Sequence, residues 1–382
     1  MNFIIDGNYN KELITEISEK NLPVSHIIVH VPKNPLGNGS VLLPQEFPSF
    51  EEFEEYTKLV QENGYIPIAG LDSTCQGNLE AHIDQYQAII SMLQELIDLG
   101  YTHFLVSSPN NVGLINEQFP SVDIYLSYSQ YITSLNRARI FSDIGVDVIT
   151  LHPDIIRDFS ALENFHKLGS TSGKTTQLEY ILPLNLGCNW GCIQWYQHHN
   201  IQSHRTISSS VFSDQEKLSN VEHAYDYPML YCWKKRLQNP KNLLKTGWIA
   251  PNNIEMYEDL GYNRFLLFAN GFSTKKVIKI LDSYNNKTLD TDFSEFLNFP
   301  HPYGDYWPKE KVLKAMFSLK PTLIEDFCNN FPYHTHYPFE SDINEYCAGY
   351  VKNYKSENET KKELIELIDQ KMKQLEKGAI ER

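Results

Sequence analysis

Four times along this chain an amphipathic stretch stops at a glycine and is followed at once by a short apolar run. The junctions are Asn63-Gly64-Tyr65-Ile66, Leu99-Gly100-Tyr101, Ile144-Gly145-Val146 and Leu260-Gly261-Tyr262. Glycine there supplies the left-handed residue that closes a helix, since it has no Cβ to clash. The runs that follow, such as Phe104-Leu105-Val106 and Phe265-Leu266-Leu267-Phe268, are rich in strand-forming residues. Between them, Ile83, Tyr86, Ile90, Leu93 and Ile97 give a helix one apolar stripe. Adding the remaining apolar runs predicts eight strands, at 3–6, 26–31, 66–69, 103–107, 123–127, 147–152, 178–184 and 264–269. Alternating strands and helices build a parallel sheet, and eight units suggest an α/β fold of the (β/α)8 TIM-like barrel type. A doubly wound open sheet is the alternative.

The barrel is assigned to residues 1–285, with a last helix at 273–284. It includes a long cysteine-containing insertion at 185–263, after the seventh strand. Residues 286–382 form a C-terminal extension rich in Tyr, Phe and Pro. It ends in a charged helix at 356–377 whose Leu364, Ile368, Met372 and Leu375 form an apolar stripe, expected to dock on the barrel.

Composition narrows the function. A 41% hydrophobic content over 382 residues is enough for a sizeable core. Thirty-three basic against forty-eight acidic residues leave a formal charge of −15. No basic footprint stands out to neutralise phosphates, so a nucleic-acid partner is not expected. The start, MNFIIDGNYNKEL, lacks a basic segment followed by a long apolar stretch, and no run of about eighteen apolar residues occurs. A cytoplasmic protein with no membrane span is expected. Its six cysteines are too sparse for a disulfide scaffold and read as metal ligands, catalytic thiols or core residues.

The strongest local motif is Asn185-Leu186-Gly187-Cys188-Asn189-Trp190-Gly191-Cys192, directly after the seventh strand. Residues past a barrel strand's C-terminal end face the active-site mouth. Two nearby thiols can share one metal, either zinc or an iron–sulfur cluster, and both usually take four ligands. Cys232 and Cys347 are the expected completing pair, with Cys328 in reserve. The competing reading makes these thiols small buried hydrophobes. Cys75, past the third strand, is another mouth residue. His198, His199 and His204 follow the cysteine pair and suit acid–base work or ligation. His152 and Asp154 after the sixth strand, and Asp72 after the third, are further polar candidates at the mouth.

Other motifs are weaker. Gly169-Ser170-Thr171-Ser172-Gly173-Lys174-Thr175 has one residue too few between its glycines for a phosphate loop, and it precedes a strand. His334-Thr335-His336 lies in a Pro/Tyr-rich segment and reads as structural. Neither a Gly-x-Ser-x-Gly elbow nor a His-Glu-x-x-His helix occurs, which removes two common hydrolase chemistries.

With the cysteine segment in view, the chain resembles the collagenase-like peptidase family U-32. Asn185, Gly187, Cys188, Cys192, His198 and Asn200 match one branch's strand-end Asn, Gly-Cys, second cysteine and His-x-Asn. Trp248-Ile249-Ala250-Pro251 is similar to the family's Trp-Ile-Arg-Pro, with alanine in place of arginine, and Tyr346-Cys347 to a terminal Tyr-Cys. Most of the match lies between residues 150 and 284. The resemblance implies a barrel whose Cys188, Cys192, Cys232 and Cys347 hold a [4Fe–4S] cluster, with zinc as the alternative metal. Members of the family include oxygen-independent hydroxylases of RNA modification and ubiquinone synthesis; the acidic charge here speaks against the RNA branch.

The functional expectation is therefore an iron–sulfur enzyme performing hydroxylation or related redox chemistry on a small molecule or peptide. His152 or His198 would move protons, Asn185 would orient substrate, and Asp72 is a further catalytic candidate. The alternatives are a metal-dependent peptidase and a non-catalytic iron–sulfur subunit, and a homo- or hetero-oligomer is possible on either.

Overall fold

An apolar run of four to seven residues cannot satisfy its own backbone polar groups, so each must find neighbours. In the computed structural model the eight runs do so in strict chain order. The model describes residues 1–43, 47–169, 178–208, 221–302, 306–334, 340–353 and 359–380. The strands are β1 Asn2–Asp6, β2 Val24–His30, β3 Ile66–Leu71, β4 His103–Val106, β5 Asp123–Leu126, β6 Val148–Thr150, β7 Glu179–Pro183 and β8 Arg264–Phe268. All neighbours are parallel, and β8 returns to β1, pairing Asn2 with Arg264 and Asp6 with Phe268. The sheet is a closed eight-stranded barrel. The open-sheet alternative falls, because closure leaves no edge strand.

The four glycine junctions behave as the sequence predicts. Gly64, Gly100, Gly145 and Gly261 all have positive φ, between 80° and 126°. After each, the next residue's N–H reaches back five positions, as in Tyr65 N–H to the Val60 carbonyl and Tyr262 N–H to the Tyr257 carbonyl. This closes the helix and launches the strand in one step.

Strand alternation sorts the side chains into two layers. Ile4, Ile28, Ile68, Leu105, Tyr125, Val148, Ile181 and Leu266, one from each strand, fill the barrel interior as a cluster of their own. The opposite faces, such as Phe3, Ile5, Val29 and Phe104, pack outward against the helices. That outer cluster continues without a break into the C-terminal extension, taking in Cys328, Cys347, Leu364 and Ile368. The final helix, Glu359–Ile380, packs on the Val221–Gln238 helix of the insertion. Lys234 pairs with Asp369, and the Tyr227 hydroxyl donates to Glu376. The expected docking partner was the barrel; the helix instead lies on the insertion, whose own helix needs a cover. Residues 170–175 of the glycine–serine loop, Thr335 and His336 of the third histidine motif, and the predicted helix start at 356–358 lie outside the described residues. Among the described residues no helix is long and apolar enough to cross a membrane.

The N-terminal end of the barrel is closed by a histidine cluster. His26 meets His103 edge-on at 5.5 Å. Burial, with His103 and Arg264 adding repulsion, lowers the His26 pKa from 6.5 to about 4. The unfolded chain therefore binds more protons than the folded one between those values, so stability is full above pH 6.5 and drains as pH falls toward 4. The loss is on the order of 3 kcal/mol. We expect urea melts of His26→Gln to show a flatter pH dependence across that window. A slope identical to the parent's would show that His26 is not the group responsible.

Candidate functional site at the barrel mouth

Two or four residues beyond each interior apolar position, the chain places a polar side chain at the C-terminal end of the barrel. The set is Asp6, His30, Asp72, Ser107, Ser127, His152, Asn185 and Asn270, all buried. They are roofed by the loop after β2, whose Val41 and Leu42 enter the interior cluster, and by the Trp195–Thr206 helix. Roof and helix are stitched together. Thr206 Oγ1 accepts from Asn38 N–H at 2.7 Å, and Ser203 Oγ accepts from Thr74 N–H at 3.0 Å.

Several of these polar groups are already engaged. His30 Nε2 pairs with Asp6 at 2.7 Å. Burial works against a charged His30, but Asp6 and Asp72 outweigh it and raise its pKa. Asp72 accepts from Gly39 N–H at 3.0 Å and from the Ser127 hydroxyl at 2.9 Å. It anchors the roof to the barrel.

Asn185 is the clearest correction to the sequence reading. Its Nδ2 donates to the carbonyls of Phe268 and Phe296, at 3.1 and 2.9 Å, and its Oδ1 accepts from Phe268 N–H at 2.9 Å. Both amide protons and one Oδ1 lone pair clamp β7, β8 and the segment beyond, which leaves Asn185 no donor for a substrate.

The histidines divide by tautomer. His152 Nδ1 accepts from Asp154 N–H at 3.1 Å, so its proton sits on Nε2. That Nε2 is buried without a hydrogen-bond partner. His199 is the reverse: Nδ1 donates to the Gly39 carbonyl, leaving a bare Nε2 lone pair that is also buried and unpartnered. Trp195 lies against both rings, at 4.2 Å from His152 and 4.8 Å from His199. Burial keeps both neutral, lowering His199 to about 4 and His152 further. His198 is also neutral, pushed to about 3 by burial, His199 and Arg236, with its Nε2 unpartnered. A histidine that donates one nitrogen to a carbonyl and bares the other is prepared as a base or a ligand. His199 thus stands beside His198, which the sequence alone favoured. Tyr131 completes the wall, stacked on His152 at 3.8 Å and donating to Asp154 at 2.6 Å. Burial raises the Asp154 carboxyl to about 6.

Three of the expected cysteines meet here. Cys188, Cys192 and Cys232 line one cavity with His198, His199 and Arg236. Gly187 makes the approach possible, since a Cβ there would stand 2.2 Å from the Phe299 ring. The Cys192 and Cys232 thiols are hydrogen-bonded to each other. That bond, with Gln194 N–H and Arg236, lowers the Cys192 pKa against the effect of burial. Burial and Cys192 push Cys188 up to about 12. Arg236 donates to the Gly187 carbonyl at 2.6 Å, while its Nε and Nη1 are buried without partners.

Cys347 does not join them. It is buried in the Glu340–Asn353 helix, where the charges that reach it are Arg157, Lys245 and Lys241. Cys328 lies beside Tyr333 and Arg157. Both sit in the extension's packing against the outer layer, because their helices are anchored by aromatic residues such as Phe327 and Tyr346. The expected four-thiol set is therefore three thiols and two imidazoles. Among the described residues no three His, Cys, Asp or Glu side chains are already arranged to hold a metal ion. The cavity between the thiols is about 10 Å³, room for a single water. Side-chain rotation has to open it before anything larger is held. The donor types nonetheless fit a thiolate-seeking group, since three soft sulfurs face two unsatisfied guanidinium nitrogens. Arg236 carried no sequence signal of its own. It has no motif, and only the fold brings the Val221–Gln238 helix over the cysteine loop.

No family model matches the chain, and no curated protein matches it. Among solved structures, the U32 peptidase Mk0906 is 18% identical, with 71% of this chain and 93% of that one covered, at a TM-score of 0.50. The chain shares that protein's fold, so the U-32 resemblance holds at the level of architecture. The chitinase ChiC from Aspergillus fumigatus (13% identity, 48% and 78% covered) and an alpha-amylase from Lactobacillus plantarum (13%, 75% and 80%) both match at a TM-score of 0.32. At that level no chemistry carries over.

Replacing Asn185 by alanine strands the buried Phe268 N–H and the Phe296 carbonyl at the β7–β8 joint, while the Phe268 carbonyl keeps the Asn298 amide. We expect a loss of about 2–4 kcal/mol in urea unfolding. A variant within about 0.5 kcal/mol of the parent would return Asn185 to a substrate-facing role.

Proposed function

We propose that this barrel is an enzyme built on a thiolate-bound metal centre at its mouth, an iron–sulfur cluster held by Cys188, Cys192 and Cys232. The observation that supports this reading most is Arg236. A buried guanidinium with two unsatisfied nitrogens and, among the described residues, no carboxylate partner is costly. It lines that cavity with three thiols, which become anionic when they ligate, alongside Asn189 and the neutral His198 and His199. One guanidinium over three sulfurs is the charge arrangement that a metal–thiolate group needs.

Such a group would supply one-electron transfer, or an open iron that polarises a substrate oxygen. The chain's own residues supply the rest. His199 Nε2 offers a lone pair to accept a proton and His152 Nε2–H offers one to donate, on either side of Trp195. The roof of residues 31–43 and the Trp195–Thr206 helix excludes bulk water, which strengthens every charge interaction beneath it. A small molecule or peptide fragment fits this setting for hydroxylation or related redox chemistry.

The small cavity gives one specific reason to hold a second reading in view. A single zinc ion with three thiolates and His198 or His199 needs less room than a cluster. That shell is closed at four ligands, so zinc there would be structural and would not activate water for peptide hydrolysis.

The test is metal and acid-labile sulfide analysis after anaerobic purification. We expect about four irons and four sulfides per chain. Cys192→Ala and Cys232→Ala should lose them, while Cys347→Ala should retain them. One zinc and no sulfide selects the structural site. A metal-free protein, or full iron in both Cys192→Ala and Cys232→Ala, removes the proposal.

A further inference from the structure

Beside the mouth, past the end of β8, the structure holds a second cavity of about 390 Å³. Its volume is in the range of small-molecule sites. Lys276, Lys309 and Lys314 line it, together with His301, Ser273 and Phe272. Three lysines in one cavity stand out in a chain of net charge −15. Other lysines here find carboxylates: Lys11 pairs with Glu55, Lys287 with Glu255 and Glu258, and Lys311 with Glu363. Among the described residues, none of the three cavity lysines has a carboxylate within 4.0 Å.

The two acidic residues in the lining form no ion pair with them among the described residues, although the Glu295 charge reaches Lys276. Asp292 is used as a loop staple, accepting from Ser294 N–H, the Ser294 hydroxyl and Leu319 N–H at 2.6–2.9 Å, and from the Ser318 hydroxyl. Glu295 is exposed and accepts from the Thr291 hydroxyl. Lys276 instead lies over the Phe272 ring, its Nζ 3.5 Å from the centroid. It belongs to the first turn of the Thr274–Asn285 helix, where unpaired N–H groups add positive potential. His301 adds a neutral donor. Its Nδ1 accepts from the Trp307 indole at 3.0 Å, so its proton is on Nε2. Burial first, then the nearby Lys309, Arg236 and Lys276 charges, lowers its pKa to about 3, so it is held neutral.

We infer that this cavity binds an oxyanion, the phosphate or carboxylate group of a small-molecule ligand. Lys276 and Lys309 are its main contacts. Loops after the last barrel strands and a helix N-terminus are a position from which barrels hold such groups. Phe299 and His301 line this cavity and Pro300, between them, lines the thiol cavity. A ligand anchored here by its anionic end therefore has its remainder beside the mouth. The inference does not depend on a metal centre, since the lysines and His301 are in place without one.

Isothermal titration calorimetry of the full chain with inorganic phosphate, and in a second arm with glutarate, tests it. We expect saturable binding in at least one arm, and the tighter arm identifies the group. Lys276→Met, which keeps the stem on Phe272, should weaken that binding at least tenfold, and Lys309→Met severalfold. Lys311→Met, on the same short helix as Lys309 but paired with Glu363, should leave it unchanged. No heat of binding in either arm up to about 10 mM, a bound too weak to matter, would overturn the inference. So would equal affinity in the parent and the Lys276→Met and Lys309→Met variants, all showing the parent's melting temperature.

Discussion

How β7 ends governs the rest of the mouth. The Asn185 amide holds the backbone of β8 and of the segment at Phe296 in one clamp, and Asn298 N–H returns to the Asn185 carbonyl at 2.8 Å. Gly187 N–H then bonds the Asn298 carbonyl at 2.7 Å, close enough that no side chain fits against Phe299. These bonds are neutral and modest singly. Together they fix where the chain leaves the barrel, and so where Cys188 and Cys192 stand. The Val221–Gln238 helix is tied to the same short stretch by Arg236, which caps the Gly187 carbonyl. One backbone segment therefore carries the register of both thiol-bearing elements.

The mouth is a place where burial sets protonation. His152, His198 and His199 are all held neutral by desolvation, and hydrogen bonds with fixed backbone groups choose the tautomers of His152 and His199. Cys192 is pulled toward the thiolate by neighbours, while Cys188 is pushed away from it by burial. Low dielectric makes each of these effects larger than it would be in water. Arg236 and the cavity lysines share one logic, since among the described residues none of them forms an ion pair with a carboxylate. One faces sulfur and the others face open volume.

The fold was legible because its signals are local. A glycine after an amphipathic stripe and a β-rich run after the glycine need only neighbours in sequence, and all eight strands lie within two or three residues of their expected limits. The site was legible in part. Cys188, Cys192 and His152 could be found because they follow strands, and strand ends face the mouth. Cys232 was named with Cys347 as the completing pair, and the fold brings only Cys232 to the cavity. Cys347 misled because a cysteine next to tyrosine says nothing about which surface its helix covers, and Tyr346 anchors that helix on Phe327 and Phe331. Asn185 was rightly singled out and wrongly assigned, since hydrogen bonds to distant backbone are invisible in a string of letters.

The sequence by itself determined the closed barrel, the long insertion after β7 and the presence of thiols at its mouth. Periodicity and turn chemistry act over a few residues and survive in any context. Tertiary structure decided which sulfurs meet, that Arg236 lies over them, that His199 bares its lone pair, and that three lysines gather in one cavity. Those outcomes depend on helices separated by tens of residues coming to rest on one another. The burial that follows sets charge and tautomer only once the surrounding atoms are in place.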